Sequence, residues 1–177
     1  MVIIFIVFVI CLIIYLYSLY HNKLLFLNEK ITNVEEKINS TLIKRKELIK
    51  ESEKLIKMII NTDKNIYEGL NESSKEDSSM MKLDRKLLIY INEFYLIKDK
   101  YKKLQKDENF LKISYAIDET TDTLNAYKEY YNDVAQKYNK LIKSFPVIII
   151  TFIKGRKEKE FFDKKSINDN DYNNFKY

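Results

Sequence analysis

A heptad stripe that ends at a phenylalanine–proline pair constrains the fold of this chain more than any other feature. Its seam positions recur at alternating spacings of three and four residues: Phe110, Ile113, Ile117, Thr120, Leu124, Tyr127, Tyr131, Val134, Tyr138, Leu141 and Phe145. Only Thr120 is neither apolar nor aromatic. Such a pattern predicts a long helix with one narrow seam that packs against other helices. Pro146 ends it, because proline has no amide donor and disfavours helical geometry in the residue before it.

Two earlier segments carry similar stripes. The first is predicted to run from about Leu24 to about Leu70, and its apolar side is interrupted by Thr41, Arg45 and Ser52. The second carries Leu83, Leu87, Tyr90, Phe94, Ile97, Tyr101 and Leu104. With two glycines and one proline in the chain, few turns are signalled, which disfavours sheets. We therefore predict an all-α fold, an elongated antiparallel bundle of three long helices plus a short C-terminal segment.

Capping residues mark the predicted helix ends. The polar stretch 71–79 is expected to be a loop, with Ser78 or Ser79 as the N-cap of the second helix. Asp107 is expected to cap the third helix, which should extend from about Glu108 to Ser144.

The N-terminus has the composition of a membrane anchor. Residues 2–20 contain no charged side chain, and such a length spans a hydrocarbon core of about 30 Å. A cleaved signal peptide would need a basic start and small residues at the cleavage site, which this segment lacks. We predict a retained transmembrane helix in residues 1–22, a bundle domain in 23–162 and a disordered polar tail in 163–177. Membrane lipid is its expected partner.

Lysines follow the apolar segment and none precedes it. The positive-inside tendency therefore predicts a single-pass protein of the cell membrane, with the N-terminus outside and the bundle in the cytoplasm.

The sequence offers no catalytic constellation. His21 is the only histidine, so a histidine-based triad or multi-histidine metal site cannot be assembled. The predicted inward stripes carry no acidic residue, which argues against a carboxylate metal site. Tyr127 and Tyr131 lie on the heptad seam, so packing explains them better than stacking on nucleic acid. We expect no enzymatic activity, cofactor, metal, small-molecule substrate or nucleic-acid partner.

The apolar run Val147–Ile153 is too short to span a bilayer. If the three long helices run outward, back and outward again, this run lies far from its own membrane. We expect it to fold back on the bundle or to make an intermolecular contact. The candidate interaction surface is Phe145, Pro146, Ile148, Ile150, Phe152, Phe161 and Phe162.

Short motifs in the second half of the chain point to a family. They are Glu108-Asn109-Phe110-Leu111, Tyr131-Asn132-Asp133 with Val134, Tyr138-Asn139 with Ile142, Phe145-Pro146, Ile149-Ile150, Gly155 and Phe161-Phe162. Upstream, residues 42–49 read Leu-Ile-Lys-Arg-Lys-Glu-Leu-Ile. With these elements, the chain resembles the LemA family over about residues 20–163. The resemblance implies a membrane-anchored, extended antiparallel helical bundle, without a defined biochemical activity.

The chain departs from the family pattern at a few positions. They are Lys50, Ser114, Ala116, Thr120-Thr121 and Lys128. If relatives bury a polar network at such positions, we expect it to be depleted here. We also expect Lys128 to lie on the surface, where truncation costs well under about 1 kcal/mol.

Two functions remain open from the sequence. The leading hypothesis is a non-enzymatic, membrane-anchored scaffold or interaction module for unidentified protein partners, with self-association as one option. The alternative is a lipid- or envelope-associated structural factor that contacts membrane through residues 147–153.

Overall fold

The computed structural model describes residues 1–67, 70, 79–145 and 147–162. Within these ranges the chain forms four α-helices: α1 (Val2–Ile60), α2 (Met80–Lys100), α3 (Glu108–Ile142) and α4 (Val147–Ile153). A short 3₁₀ helix, Leu104–Lys106, precedes α3. No strand occurs in the described ranges, and the predicted all-α helical bundle is confirmed. The predicted tail, Pro146 and most of the predicted loop at 71–79 lie outside these ranges.

Helix α1 ends ten residues earlier than predicted, at Ile60 instead of near Leu70. Asn61 has a φ of 54°, a left-handed conformation that asparagine tolerates. The amide of Thr62 then donates to the carbonyl of Lys57 at 3.1 Å. This is the hydrogen bond of a Schellman motif, which ends a helix by satisfying a free carbonyl.

The chain then folds back along α1. The amide of Ile66 donates to Glu53 Oε1 at 3.1 Å, and the hydroxyl oxygens of Tyr67 and Ser52 lie 3.4 Å apart. Tyr67 is buried and meets Tyr90 of α2 edge to face. This return explains why the stripe ends early, since the residues after Ile60 pack on α1 instead of extending it.

The described residues form two compact units. The first contains Met1–Glu35 and Glu129–Phe162, and the described part of the second lies within Glu36–Lys128. Helices α1 and α3 contribute residues to both.

In the second unit, α3 runs antiparallel to α1 and to α2. Against α1, Thr120 meets Arg45 and Tyr127 meets Lys37. Against α2, the amine of Lys98 donates to Ser114 at 2.7 Å. Asp84, near the start of α2, meets residues of α1 and α3 described below.

Helices α1 and α2 run in the same direction within this unit. Asp84 lies near Arg45, whereas Tyr90, one to two turns later, lies near Tyr67, which contacts Ser52. The expected order of outward, back and outward helices is therefore wrong. Residues 61–67 return along α1, which is consistent with this arrangement.

The first unit brings the second half of α3 and α4 together with the start of α1. In α1 the first buried side chain is Leu24, which is 1% exposed, and Leu27 and Ile31 follow on the same face. The buried residues of α3 in this unit are Tyr131, Val134, Ala135, Tyr138, Asn139, Leu141 and Ile142. The end of α3 and helix α4 therefore belong to the same compact unit as the exit of the apolar segment, whereas the sequence had led us to expect them far from it.

Two helix N-termini offer a matched test of capping. The carboxylate of Asp107 accepts a hydrogen bond from the amide of Phe110 at 2.8 Å, as predicted, whereas Ser79 makes no side-chain cap bond at α2. We expect Asp107→Ala to lower the free energy of unfolding by about 0.5–2 kcal/mol. Ser79→Ala should change it little. Equal losses, measured by denaturant midpoints, would show that the Asp107 cap does not stabilise α3.

Candidate functional site

Three charged side chains from three helices meet in the interior of the second unit. They are Arg45 of α1, Asp84 of α2 and Lys128 of α3, which are 1%, 6% and 6% exposed. The amine of Lys128 forms an ion pair with Asp84 Oδ2. Arg45 Nη1 lies 3.8 Å from Asp84 Oδ1. We call these three residues the ionic cluster.

Threonines of α3 accept hydrogen bonds from two nitrogens of Arg45. Its Nε donates to Thr120 Oγ1 at 3.3 Å, and its Nη2 donates to Thr121 Oγ1 at 2.9 Å. Both hydroxyls in turn donate to the carbonyl of Ile117. The two threonines thus connect a buried guanidinium to the backbone of α3.

Burial lowers the pKa of Arg45 to about 10, and the nearby carboxylate of Asp84 opposes that change. Arg45 therefore stays charged at neutral pH. The ionic cluster holds two cations and one anion, and within the described part of the chain Asp84 Oδ1 accepts no hydrogen bond. Removing the only carboxylate would leave two buried positive charges without a partner.

This cluster was not predicted from the sequence, and three of its features differ from the expectations. Arg45 is part of the packed interior and not an interruption of it, Lys128 is buried, and an acidic residue does face inward. A buried polar network is present in this chain, with Thr120 and Thr121 as members. A signal was available: Lys128 lies four residues after Leu124 and three before Tyr131, which is the spacing of an inward position.

A second cluster holds the C-terminal segment of the first unit onto α3. The side chain of Asn139 donates to the carbonyl of Lys159 and accepts from its amide, both at 2.8 Å. Asn132 does the same with Phe162, at 2.9 Å and 2.8 Å. Each asparagine side chain therefore donates to the carbonyl and accepts from the amide of one residue, as the backbone of a neighbouring β-strand does. Gly155, with a φ of 59°, provides the turn that redirects the chain after α4.

The end of this segment is packed. Phe162 is 3% exposed and meets Tyr131 edge to face, with ring centroids 5.0 Å apart. Burial raises the pKa of Tyr131 to about 12, and the charges of Glu35 and Glu160 add to the effect. The amine of Lys159 also lies 3.6 Å from Glu35, which ties the segment to α1.

Helix α4 has one buried and one exposed side. Val147 is 1% exposed, and Thr151 is buried with its hydroxyl 3.0 Å from the carbonyl of Ile142, to which it donates. The predicted return to the bundle is confirmed for this side. The opposite side exposes Ile148, Ile149 and Phe152, the last of these 87% exposed.

The predicted interaction surface is thus divided. Phe162 lies in the interior and belongs to the core. Phe145, Ile148, Phe152 and Phe161 are exposed. Pro146 and the side chain of Ile150 lie outside the described residues, so their predicted roles stay predictions.

The apolar start of α1 is exposed along its whole length. The structure has one helix in its described part that is long and apolar enough to cross a membrane, and none of its most apolar window is buried. Among the residues described, no group of three or more histidine, cysteine, aspartate or glutamate side chains is placed to hold a metal ion.

Comparison with models of protein families identifies the family of this chain. The family model described as "LemA family" matches residues 27–173, most of the sequence. The chain belongs to the LemA family. The resemblance identified from the motifs is therefore confirmed. Comparison with curated proteins and with solved structures gave no match.

Two asparagines in the LemA-like motifs of this chain bind the backbone of the segment that follows α4. Asn132 and Asn139 were noted only as parts of those motifs, and their spacing alone does not reveal a backbone partner. Seven residues bring them to one face of α3 after two turns, where both meet the same extended segment.

We expect Asn139→Ala to release the segment that follows α4. Lys154, Arg156, Lys157 and Lys159 are cleavage sites for trypsin, so limited proteolysis of the folded chain should proceed several-fold faster in this region. The matched control is Asn125→Ala, at an exposed position of the same helix. Unchanged cleavage in Asn139→Ala, relative to this control, would show that the asparagine does not hold the segment.

Proposed function

We propose that this LemA family member is a membrane-anchored, non-enzymatic helical scaffold that presents its bundle to protein partners. One observation carries the proposal: α1 continues from an exposed apolar stretch into a packed helix without interruption. The residues up to Leu19 are mostly exposed and apolar, whereas Leu24 is buried. One helix therefore links the proposed membrane segment directly to the fold.

The ionic cluster favours a structural role for the polar interior. Arg45, Asp84 and Lys128 are closed to solvent and pair with one another across three helices. Such pairs often fix the register of helices more than they add net stability. A substrate-processing site would need groups that a ligand can reach, and these three are not accessible.

The proposed topology follows from charge. Lysines and arginines lie after residue 20 and residues 2–20 contain none, so the bundle is proposed to face the cytoplasm, with the opposite end of the apolar segment outside. Partners would then be cytoplasmic proteins or cytoplasmic domains of membrane proteins, including a second copy of this chain.

Proximity labelling in cells tests the scaffold function. A labelling enzyme fused to the full chain should mark a set of proteins that persists when residues 2–20 are replaced by an unrelated transmembrane helix. The set should shrink when the bundle is destabilised by Leu124→Ala, a substitution at a fully buried position. A scaffold role of the bundle would be contradicted if Leu124→Ala left the set of labelled proteins unchanged and the N-terminal helix alone labelled the same set.

A further inference from the structure

The exposed side of α4 lies beside the exit of the apolar N-terminal segment. The hydroxyl of Thr151 bonds to the carbonyl of Ile142, so α4 packs against the last turn of α3. Lys159 bridges α3 and α1, because its backbone bonds Asn139 while its amine reaches Glu35. The residues of α1 up to Glu35 and those of α3 from Glu129 onward belong to one compact unit, together with α4.

The register of the two helices sets the level of α4. Glu35 meets the segment held by α3, because Lys159, whose backbone bonds Asn139, reaches Glu35 at 3.6 Å, and the charge of Glu35 also acts on Tyr131. Ile142 follows Tyr131 by as many residues as Leu24 precedes Glu35. Since the helices are antiparallel and rise equally per residue, the end of α3 is level with Leu24. Leu24 is the first buried residue after the apolar segment. The start of α4 is therefore placed at the point where a membrane-spanning helix would leave the lipid.

Large apolar side chains are exposed at this level. Phe145, Ile148, Ile149 and Phe152 are 79%, 47%, 54% and 87% exposed, and we call them the α4 face. On α1, Leu25 and Phe26 are about half exposed at the same level. Large exposed aromatic and aliphatic residues grouped in this way mark an interaction surface.

Charge near the α4 face favours one occupant. From Leu141 to Lys157 inclusive the chain has four basic residues and no acidic one: Lys143, Lys154, Arg156 and Lys157. Lys143 pairs with Glu158 at 2.9 Å, and both side chains remain more than half exposed. A short apolar face bordered by lysine and arginine is typical of segments that lie in the interface of a membrane containing anionic lipids.

We propose that the α4 face inserts into the headgroup and acyl boundary of the same membrane that holds the N-terminal helix, with the flanking basic residues on anionic headgroups. This inference rests on the proposed anchor. It gives the bundle two attachments to one bilayer, the spanning helix and α4. The first unit would then be held close to the membrane at two points instead of being attached through a single helix.

Tryptophan fluorescence in liposomes tests the inference on the full chain, which contains no tryptophan. Three single substitutions at exposed positions of the first unit serve as reporters: Phe152→Trp in the α4 face, Phe8→Trp in the apolar segment and Tyr130→Trp on α3. The liposomes contain phosphatidylcholine with brominated acyl chains, which quench tryptophan on contact, and are made with or without phosphatidylglycerol.

We expect strong quenching of Phe8→Trp, clear quenching with a blue-shifted emission for Phe152→Trp, and little change for Tyr130→Trp. Phosphatidylglycerol should increase quenching at position 152, and Lys154→Gln combined with Lys157→Gln should abolish that increase. If Phe8→Trp is not quenched, the anchor itself is wrong.

If Phe8→Trp is quenched and Phe152→Trp behaves as Tyr130→Trp does, the anchor stands and the lipid contact of α4 is refuted. In that case, a tryptophan emission wavelength at position 152 that changes with the protein-to-lipid ratio would indicate that the α4 face binds a second copy of the chain. Equal quenching at position 152 with and without phosphatidylglycerol would refute the preference of the α4 face for anionic lipids.

Discussion

We expect Asp84→Asn to lower the free energy of unfolding by about 3–5 kcal/mol, the range measured when one partner of a buried ion pair is removed. Asparagine keeps the size of the side chain but loses the charge, so Arg45 and Lys128 would remain buried without a counter-ion. Denaturant midpoints of the full chain in detergent micelles provide the measurement.

Two comparisons isolate the effect of burial. Glu119→Gln removes an exposed carboxylate that lies 3.9 Å from the exposed amine of Lys44, and it should cost less than about 1 kcal/mol. Replacing the whole ionic cluster, with Arg45→Met, Asp84→Leu and Lys128→Met together, should cost less than Asp84→Asn alone. Similar losses in Asp84→Asn and Glu119→Gln would show that the ionic cluster is not buried.

We expect Leu124→Ala to lower the free energy of unfolding by about 2–5 kcal/mol, because it removes a fully buried side chain and leaves a cavity. Leu124 lies on the heptad seam of α3, in the second unit. The same denaturant measurement applies.

Tyr115→Ala is the matched control, since Tyr115 is a large residue of the same helix that is 69% exposed. It should cost well under about 1 kcal/mol. Lys128, predicted from sequence to serve as such a control, is unsuitable because its amine is buried against Asp84. If Leu124→Ala and Tyr115→Ala lose equal stability, the stripe is not a packed seam.

Most of the architecture could be predicted from the sequence. The regular spacing from Phe110 to Leu141 fixed α3, and the carboxylate of Asp107 marked its start. The end of α1 and the direction of α2 could not be predicted in this way. Both depend on tertiary contacts of Ile66 and Tyr67 with α1, which no local pattern encodes.

The candidate sites were predictable only in part. The apolar run after Pro146 and its aromatic neighbours were recognised as a surface, but their level along α1 depends on the relative direction of the helices. Arg45 and Lys128 were misplaced because charged residues are usually solvated, and only the combination of three helices shows that Asp84 faces both.

Retention of an uncleaved N-terminal helix in a membrane is tested most directly by alkaline extraction followed by intact mass measurement. Residues 2–20 carry no charge and no cleavage signal, so the full-length chain should stay in the membrane pellet with its N-terminus intact. Introducing charge by Ile6→Lys together with Ile13→Lys should release it, since both positions are exposed in the apolar segment. A soluble protein that begins near His21 would contradict the anchor and the placement of α4 at a bilayer.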